Sequence, residues 1–321
     1  MPKSPSPTAA RGDLGFRLGT GTFAVLVCLI VVGIGVILTH ESWLSIAKFG
    51  LGFWRGTTWD PVAGEFGAFP FIWGTLYSSL LALLISTPIA LGIAIFLSEL
   101  SPPMLKQPLI FLTELLAAVP SIVYGLWGIF VLVPLVRQLQ VLTPEWLRRL
   151  PLFSGPPLGV GMLAAGLVLA VMVIPFIASV AREILKAVPV TQREAAYALG
   201  ATRWEAIRMA LYYGRTGIMG AVMLGLGRAL GETMAVTMVI GNNPQVSLSL
   251  FAPQYTMAAV IANEFTEAAG DLYRDALVEI GLVLFTITIV INILSQLLIW
   301  SVSDQRVPRR VVPKPKPALA A

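Results

Sequence analysis

"TQREAAYALGATRWEAIRMALYY", residues 191–213, stands between two long apolar runs and carries charges that neither neighbour would tolerate. Thr191 and Glu194 have the T-x-x-E spacing of a capping box, in which the hydroxyl accepts from one free helix N–H and the carboxylate reaches back to another. Pro189, just before them, breaks any continuation of the preceding span. "EAAYAL" propagates a helix at little entropic cost, and Gly200 suits a left-handed turn at its end. Thr202 and Glu205 repeat the capping spacing, so a second helix, "RWEAIRMALYY", follows and can run into the next apolar run. The stretch predicts a small polar helical hairpin inside an otherwise apolar chain. Such a hairpin is either a docking element or an amphipathic segment lying along the membrane, and the spacing alone does not choose between them.

The surroundings say what kind of chain carries it. Only 12% of the 321 residues are charged and 56% are hydrophobic, against roughly 25% charged in an average soluble domain. Apolar runs near residues 22–38, 71–97, 109–135, 159–179, 216–240 and 277–300 are mostly long enough for the about 20 residues of helix that cross a hydrocarbon core. The sequence therefore predicts an all-α membrane protein with six transmembrane helices. The runs are continuous and rich in Leu, Ala and Gly, unlike the short alternating strands of an outer-membrane barrel. The first run follows Arg11 and Arg17 as a signal peptide's apolar region follows its basic start, but the next residues, "THESW", offer no small-residue cleavage site. It reads as a retained anchor. The single cysteine, Cys28, excludes an intrachain disulfide, and neither it nor the single histidine, His40, is assigned a role.

Basic residues orient the bundle, because they are retained on the cytoplasmic side. The N-terminus, the second-to-third and fourth-to-fifth connections and the C-terminal tail together hold fifteen Lys and Arg; the opposite loops hold six. Both termini and the hairpin are thus expected on the cytoplasmic face of a cytoplasmic membrane. The net charge of +5 reflects orientation and contact with membrane lipid and makes no case for nucleic acid. Residues 1–21 and the basic tail 304–321 are Pro-rich and expected to be disordered, leaving a transmembrane domain at 22–303 with its hairpin loop at about 186–213.

Within the fifth run, "MLGLGRALGETMAVTMVIGNN", Arg228 and Glu232 would lie one turn apart on one face of a helix. An ionisable residue at depth costs about 2.5–3.5 kcal/mol on insertion scales, so it normally faces the bundle interior or an aqueous path. One reading is an intrahelical ion pair, although Arg before Glu is the less favourable order. The other is a pathway for an oxyanion. Arg228 would offer it a planar charged fork, while Glu232 holds the fork and keeps it from trapping the anion. Gly225, Gly227 and Gly231 bare the backbone beside the pair, for helix packing or for a pore. Glu114 is a weaker candidate, and reads first as an interfacial or helix-dipole group. Ser78, Ser79, Ser86, Thr87, Ser121 and Tyr124 are not assigned, because hydroxyls in spans usually bond their own helix.

"EAAYALG" resembles the EAA loop of ABC-importer permeases, in which a coupling helix inserts into a cleft on an ATPase subunit. Glu194, Ala195, Ala196 and Gly200 match that motif; the exit differs, with Ala210, Tyr212 and Tyr213 where an apolar residue and a Leu-Pro pair are common. "GRALGETMAV", "ELLAAVPSIVYGLWGIF" and "GTLYSSLLALLISTPIALGIAIFLSEL" narrow the resemblance, over about residues 65–300, to the PstC-type permeases of bacterial phosphate importers. The resemblance implies a type I ABC importer permease fold and alternating access, and links Arg228 and Glu232 with phosphate passage. It also implies three kinds of protein partner: a homologous PstA-like permease, a dimer of PstB-like ATPases that uses ATP and Mg, and an extracytoplasmic PstS-like phosphate-binding protein. The chain itself has no G-x-x-x-x-G-K-[ST] phosphate loop, so it is expected to bind no cofactor and to be no enzyme. A permease for sulfate or molybdate, and a membrane sensor, are the alternatives.

Overall fold

Without water to satisfy backbone groups, long apolar runs must close their own hydrogen bonds, and helices do so within a single segment. In the computed structural model, which describes residues 7–303 and their side chains from 15 to 302, five helical stretches are long and apolar enough to cross a membrane. They are Gly15–Glu41, Phe69–Leu100, Ser121–Leu142, Met162–Ala187 and Asp271–Val302. The helix expected as a further span, Arg203–Leu230, has 28 residues, but Arg215, Arg228 and its glycines make it less apolar than the others.

Three boundaries differ from the sequence reading. The first helix spans Pro7–Glu41 and so includes residues 7–21 of the segment expected to be disordered; residues 1–6 and 304–321 lie outside the described residues. The run at 109–135 is not one helix. Pro103–Ala118 stops at Val119, whose ψ is 131°, because Pro120 clashes with a helical residue before it. A new helix then starts at Ser121 and passes through a π-helical turn, Gly128–Leu132. The run at 216–240 is interrupted too. The helix ends at Leu230, Gly231 to Thr233 are non-helical, and only the short helix Met234–Thr237 follows.

The chain folds as two compact units. One comprises, among the described residues, 7–81, 120–169 and 230–288. Its core gathers Phe53, Phe66, Phe71, Tyr255, Met257, Leu277 and Ile280. Beside it lies an antiparallel hairpin, Trp59–Asp60 with Glu65–Phe66, which hydropathy did not announce. The Trp59 ring meets those of Phe66 and Phe71 at 4.9 Å. The Trp59 indole and the Tyr273 hydroxyl both donate to Glu264, at 2.9 and 2.7 Å. Gly74 is required here, because a Cβ on it would overlap the Tyr255 carbonyl oxygen.

The other unit comprises, among the described residues, 82–119, 170–229 and 289–303. Its core is built from Ala90, Ala94, Ile177, Ala181, Leu185, Val188, Ala210 and Ala221. Small residues let helices approach where no water drives them together. A Cβ on Gly225 would come within 2.7 Å of Ile177, whereas one on Gly227 would meet nothing within 4 Å. Gly225 therefore packs helices and Gly227 leaves open space.

Candidate functional site

The hairpin of residues 190–213 lies in the second unit. Its first helix is Val190–Ala198, capped by Pro189. The expected Thr191–Glu194 box is not formed. Pro189, with φ −55° and ψ 136°, already holds the cap position, and its carbonyl accepts from Gln192 N at 3.1 Å. Thr191 thus falls inside the first turn, where its hydroxyl cannot cap. The far end is as expected. Gly200 has φ +83°, Gly200 N donates to Tyr197 O at 3.0 Å, and Ala201 N donates to Ala196 O at 3.1 Å. These two bonds make a Schellman motif.

The second capping box forms. Thr202 N donates to Glu205 Oε2 at 2.7 Å and the Thr202 hydroxyl donates to it at 2.8 Å. Glu205 N returns a longer bond to Thr202 Oγ1 at 3.4 Å. The helix that starts there runs unbroken to Leu230. The Thr202 backbone N–H, and then its hydroxyl, hold the Glu205 carboxyl below its ordinary value. A depressed folded pKa contributes stability above the ordinary glutamate range, and that contribution is lost as pH falls through the lowered value. Amide exchange at Thr202 is accordingly expected to accelerate on acidification below the ordinary glutamate range, beyond the intrinsic pH effect, and not to do so in Glu205→Gln.

The four residues of the EAA motif divide by exposure. Ala196 is buried against its own unit; Glu194, Ala195 and Gly200 are exposed. Val190, Tyr197 and Leu199 add apolar surface beside them, Leu199 being 90% exposed. The opposite side of the hairpin is tied down by contacts that the sequence did not reveal. Arg193 Nη2 lies 2.6 Å from Glu99 Oε1, and Arg203 Nη2 donates to the Glu99 carbonyl at 2.8 Å. Glu114 pairs with Arg182 at 3.1 Å.

Arg228 sits in the last turn of Arg203–Leu230 and belongs to the second unit. Its Nε is buried with no hydrogen-bond partner, its guanidinium lies 5.9 Å from the centroid of the Phe176 ring, and no carboxylate of the described residues in its unit pairs with it. Glu232 belongs to the first unit and lies past the helix end, so the two residues do not share one helical face. The Glu232 carboxylate instead accepts from Ala235 N at 3.3 Å, at the start of Met234–Thr237. Glycine and a side chain that competes for backbone N–H groups account for the interruption. Ser78 bonds back to Thr75 O at 3.2 Å as spans usually do, whereas the Ser79 and Ser86 hydroxyls are buried without partners. Among the described residues no cluster of three or more His, Cys, Asp or Glu is placed to hold a metal.

Residues 86–304 match the family described as binding-protein-dependent transport system inner membrane component. The phosphate transport system permease protein PstC of Haemophilus influenzae is 51% identical over 297 residues, 91% of this chain and 94% of that protein. Its namesake in Pasteurella multocida is 49% identical, over 91% and 93% of the two chains. A probable phosphate transport system permease protein PstC of Methanocaldococcus jannaschii is 40% identical, over 78% and 82%. Among solved structures, a chain of the MetNI methionine ABC transporter in inward-facing conformations superposes with a TM-score of 0.54 at 19% identity, covering 72% of this chain and 94% of that one. A second crystal form gives 0.55 at 17% identity. At that identity the likeness speaks for the fold alone.

Proposed function

The chain belongs to the family of binding-protein-dependent transport system inner membrane components, and from that membership we infer that it is the permease subunit of an ATP-driven importer of inorganic phosphate. The observation that carries this reading is its likeness, along about nine-tenths of both chains, to the phosphate permease of Haemophilus influenzae at 51% identity. The fold agrees with it, being that of an ABC importer permease. Such a subunit transports and leaves ATP hydrolysis and substrate capture to an ATPase and a binding protein.

The finer assignments are proposals built on the residues. The excess of Lys and Arg puts both termini and the hairpin in the cytoplasm. There the exposed Glu194, Ala195, Tyr197 and Leu199 meet a PstB-like ATPase, with Ala196 and Gly200 shaping the element they sit on. A homologous PstA-like subunit completes the path, and a PstS-like protein delivers phosphate from outside. Arg228 meets the anion in transit. An arginine in an apolar helix without a counter-charge in its own unit is costly to keep, and a planar fork suits a tetrahedral oxyanion. Glu232 sets the interruption after that helix, by accepting from Ala235 N at the start of Met234–Thr237. Irregular backbone is tolerated at membrane depth only where protein buries it or water lines it.

Radiolabelled phosphate uptake by cells lacking this chain, and by the same cells with it restored, tests the reading. Loss and rescue that are indifferent to excess unlabelled sulfate or molybdate are expected. Unchanged uptake in the deletion, in a strain with no second phosphate system, would overturn the substrate and leave the permease fold standing.

A further inference from the structure

We propose that the Glu99–Arg193 ion pair is the strut through which displacement of the hairpin reaches the Phe69–Leu100 span. The proposal rests on the permease reading above. Three elements meet at one guanidinium. Arg193 projects from the hairpin helix Val190–Ala198, and its Nη2 lies 2.6 Å from Glu99 Oε1. The same group donates to Leu185 O at 2.8 Å, and Nη1 donates to Val188 O at 3.0 Å. Those carbonyls lie at the end of Met162–Ala187 and just past it, where helices leave acceptors unsatisfied and favour a cation.

Glu99 is held from the other side as well. Its backbone carbonyl accepts from Arg203 at the start of the hairpin's second helix, at 2.8 Å. One residue is therefore gripped by both hairpin helices, by its side chain from the first and by its backbone from the second. It stands in the π-helical turn Phe96–Leu100, which ends with Ser101 N bonded to Phe96 O at 2.7 Å. Single π turns in otherwise α-helical spans often mark functional positions. This one places Glu99 where both arginines reach it.

Burial makes the pair directional. Arg193 and Glu99 are 18% and 15% exposed, so solvent screens them far less than the surface pairs, such as Lys186 with Glu183, at 42% and 57%. Elsewhere the hairpin buries apolar side chains, Ala196, Ala206 and Ile207 among them, and apolar surfaces can slide. An ion pair with bonds at both ends cannot slide without breaking. Glu194 and Ala195 on the same helix, and Leu199 just past its end, are exposed, free to receive force that leaves through Arg193. Arg182, Glu114 and Glu183 form a separate cluster.

The test uses the assembled importer, with its ATPase, partner permease and binding protein, in proteoliposomes that report phosphate uptake and ATP hydrolysis together. Wild-type complex must first import phosphate at the expense of ATP. If it does not, the permease reading fails, independently of the strut. Glu99→Gln is expected to keep the ATPase bound and hydrolysing within about twofold of wild type while the phosphate moved per ATP falls at least tenfold. Arg193→Lys keeps a charge opposite Glu99 but cannot span all three acceptors, and should give an intermediate ratio. A wild-type ratio in Glu99→Gln, or uptake and hydrolysis falling in parallel, overturns the strut. If Glu99→Gln does not assemble, an unchanged ratio in Arg193→Lys overturns it instead.

Discussion

Replacing Arg228 by glutamine is expected to abolish phosphate uptake while leaving the complex assembled. A guanidinium facing an oxyanion makes paired, charge-assisted hydrogen bonds. Bonds to charged groups are each worth about 1.5–3 kcal/mol net, so losing two of them amounts to a hundredfold or more at about 1.4 kcal/mol per decade. Assembly should survive for reasons local to the site. Within its own unit Arg228 breaks no ion pair when removed, its Nε already lacks a partner, and the Phe176 ring, at 5.9 Å, lies at the outer limit of about 6 Å for a cation–π contact. The neutral amide also relieves the cost of a charge at depth. Uptake of labelled phosphate, normalised to complex recovered by affinity purification, decides the matter. Normal uptake by a well-expressed Arg228→Gln variant would sink the pathway role. Arg228→Lys should retain partial uptake with weakened affinity, because lysine keeps the charge and loses the fork.

Much of the fold was legible because hydropathy reads burial, and burial in a membrane leaves few choices of structure. The same property hid the interruptions. Residues 231–240, "GETMAVTMVI", remain apolar enough to continue a span, yet the helix stops at Leu230. A local competition for N–H groups, won by the Glu232 carboxylate at Ala235, is invisible to a count of apolar residues. The break at Pro120 was written in the sequence, since the residue before a proline avoids helical ψ, but a long apolar run outweighed it. The two capping boxes show the limit of spacing as a signal. Thr202 and Glu205 cap as their spacing predicts; Thr191 and Glu194, with identical spacing, do not, because Pro189 reached the cap position first.

The hairpin itself was legible, and the contacts on its inner side were not. Gly200 announced its left-handed turn because only glycine takes that conformation freely. Glu99 announced nothing. A carboxylate ending a span reads as an ordinary interfacial group, and its partner Arg193 lies 94 residues away. A span ending in a carboxylate beside the most basic loop was the available signal. Only the fold could say which of that loop's arginines would answer it.

Gly200→Val is expected to release the ATPase and abolish coupled hydrolysis. The reason is conformational and not steric, since a Cβ at Gly200 would meet nothing within 4 Å. With φ at +83°, a β-branched residue there is a backbone outlier, at a cost of about 1–3 kcal/mol. Relief comes by unwinding the turn, which gives up the bonds from Gly200 N to Tyr197 O and from Ala201 N to Ala196 O. The angle between the two hairpin helices is then no longer set, and the exposed face carrying Glu194 and Leu199 loses its fixed orientation. Asparagine tolerates the left-handed region, so Gly200→Asn separates the causes. Retained ATPase co-purification in Gly200→Asn with loss in Gly200→Val means that the turn is what matters. Loss in both would mean that the partner needs the bare backbone, and wild-type yield and coupled hydrolysis in Gly200→Val would remove the hairpin from the coupling route altogether.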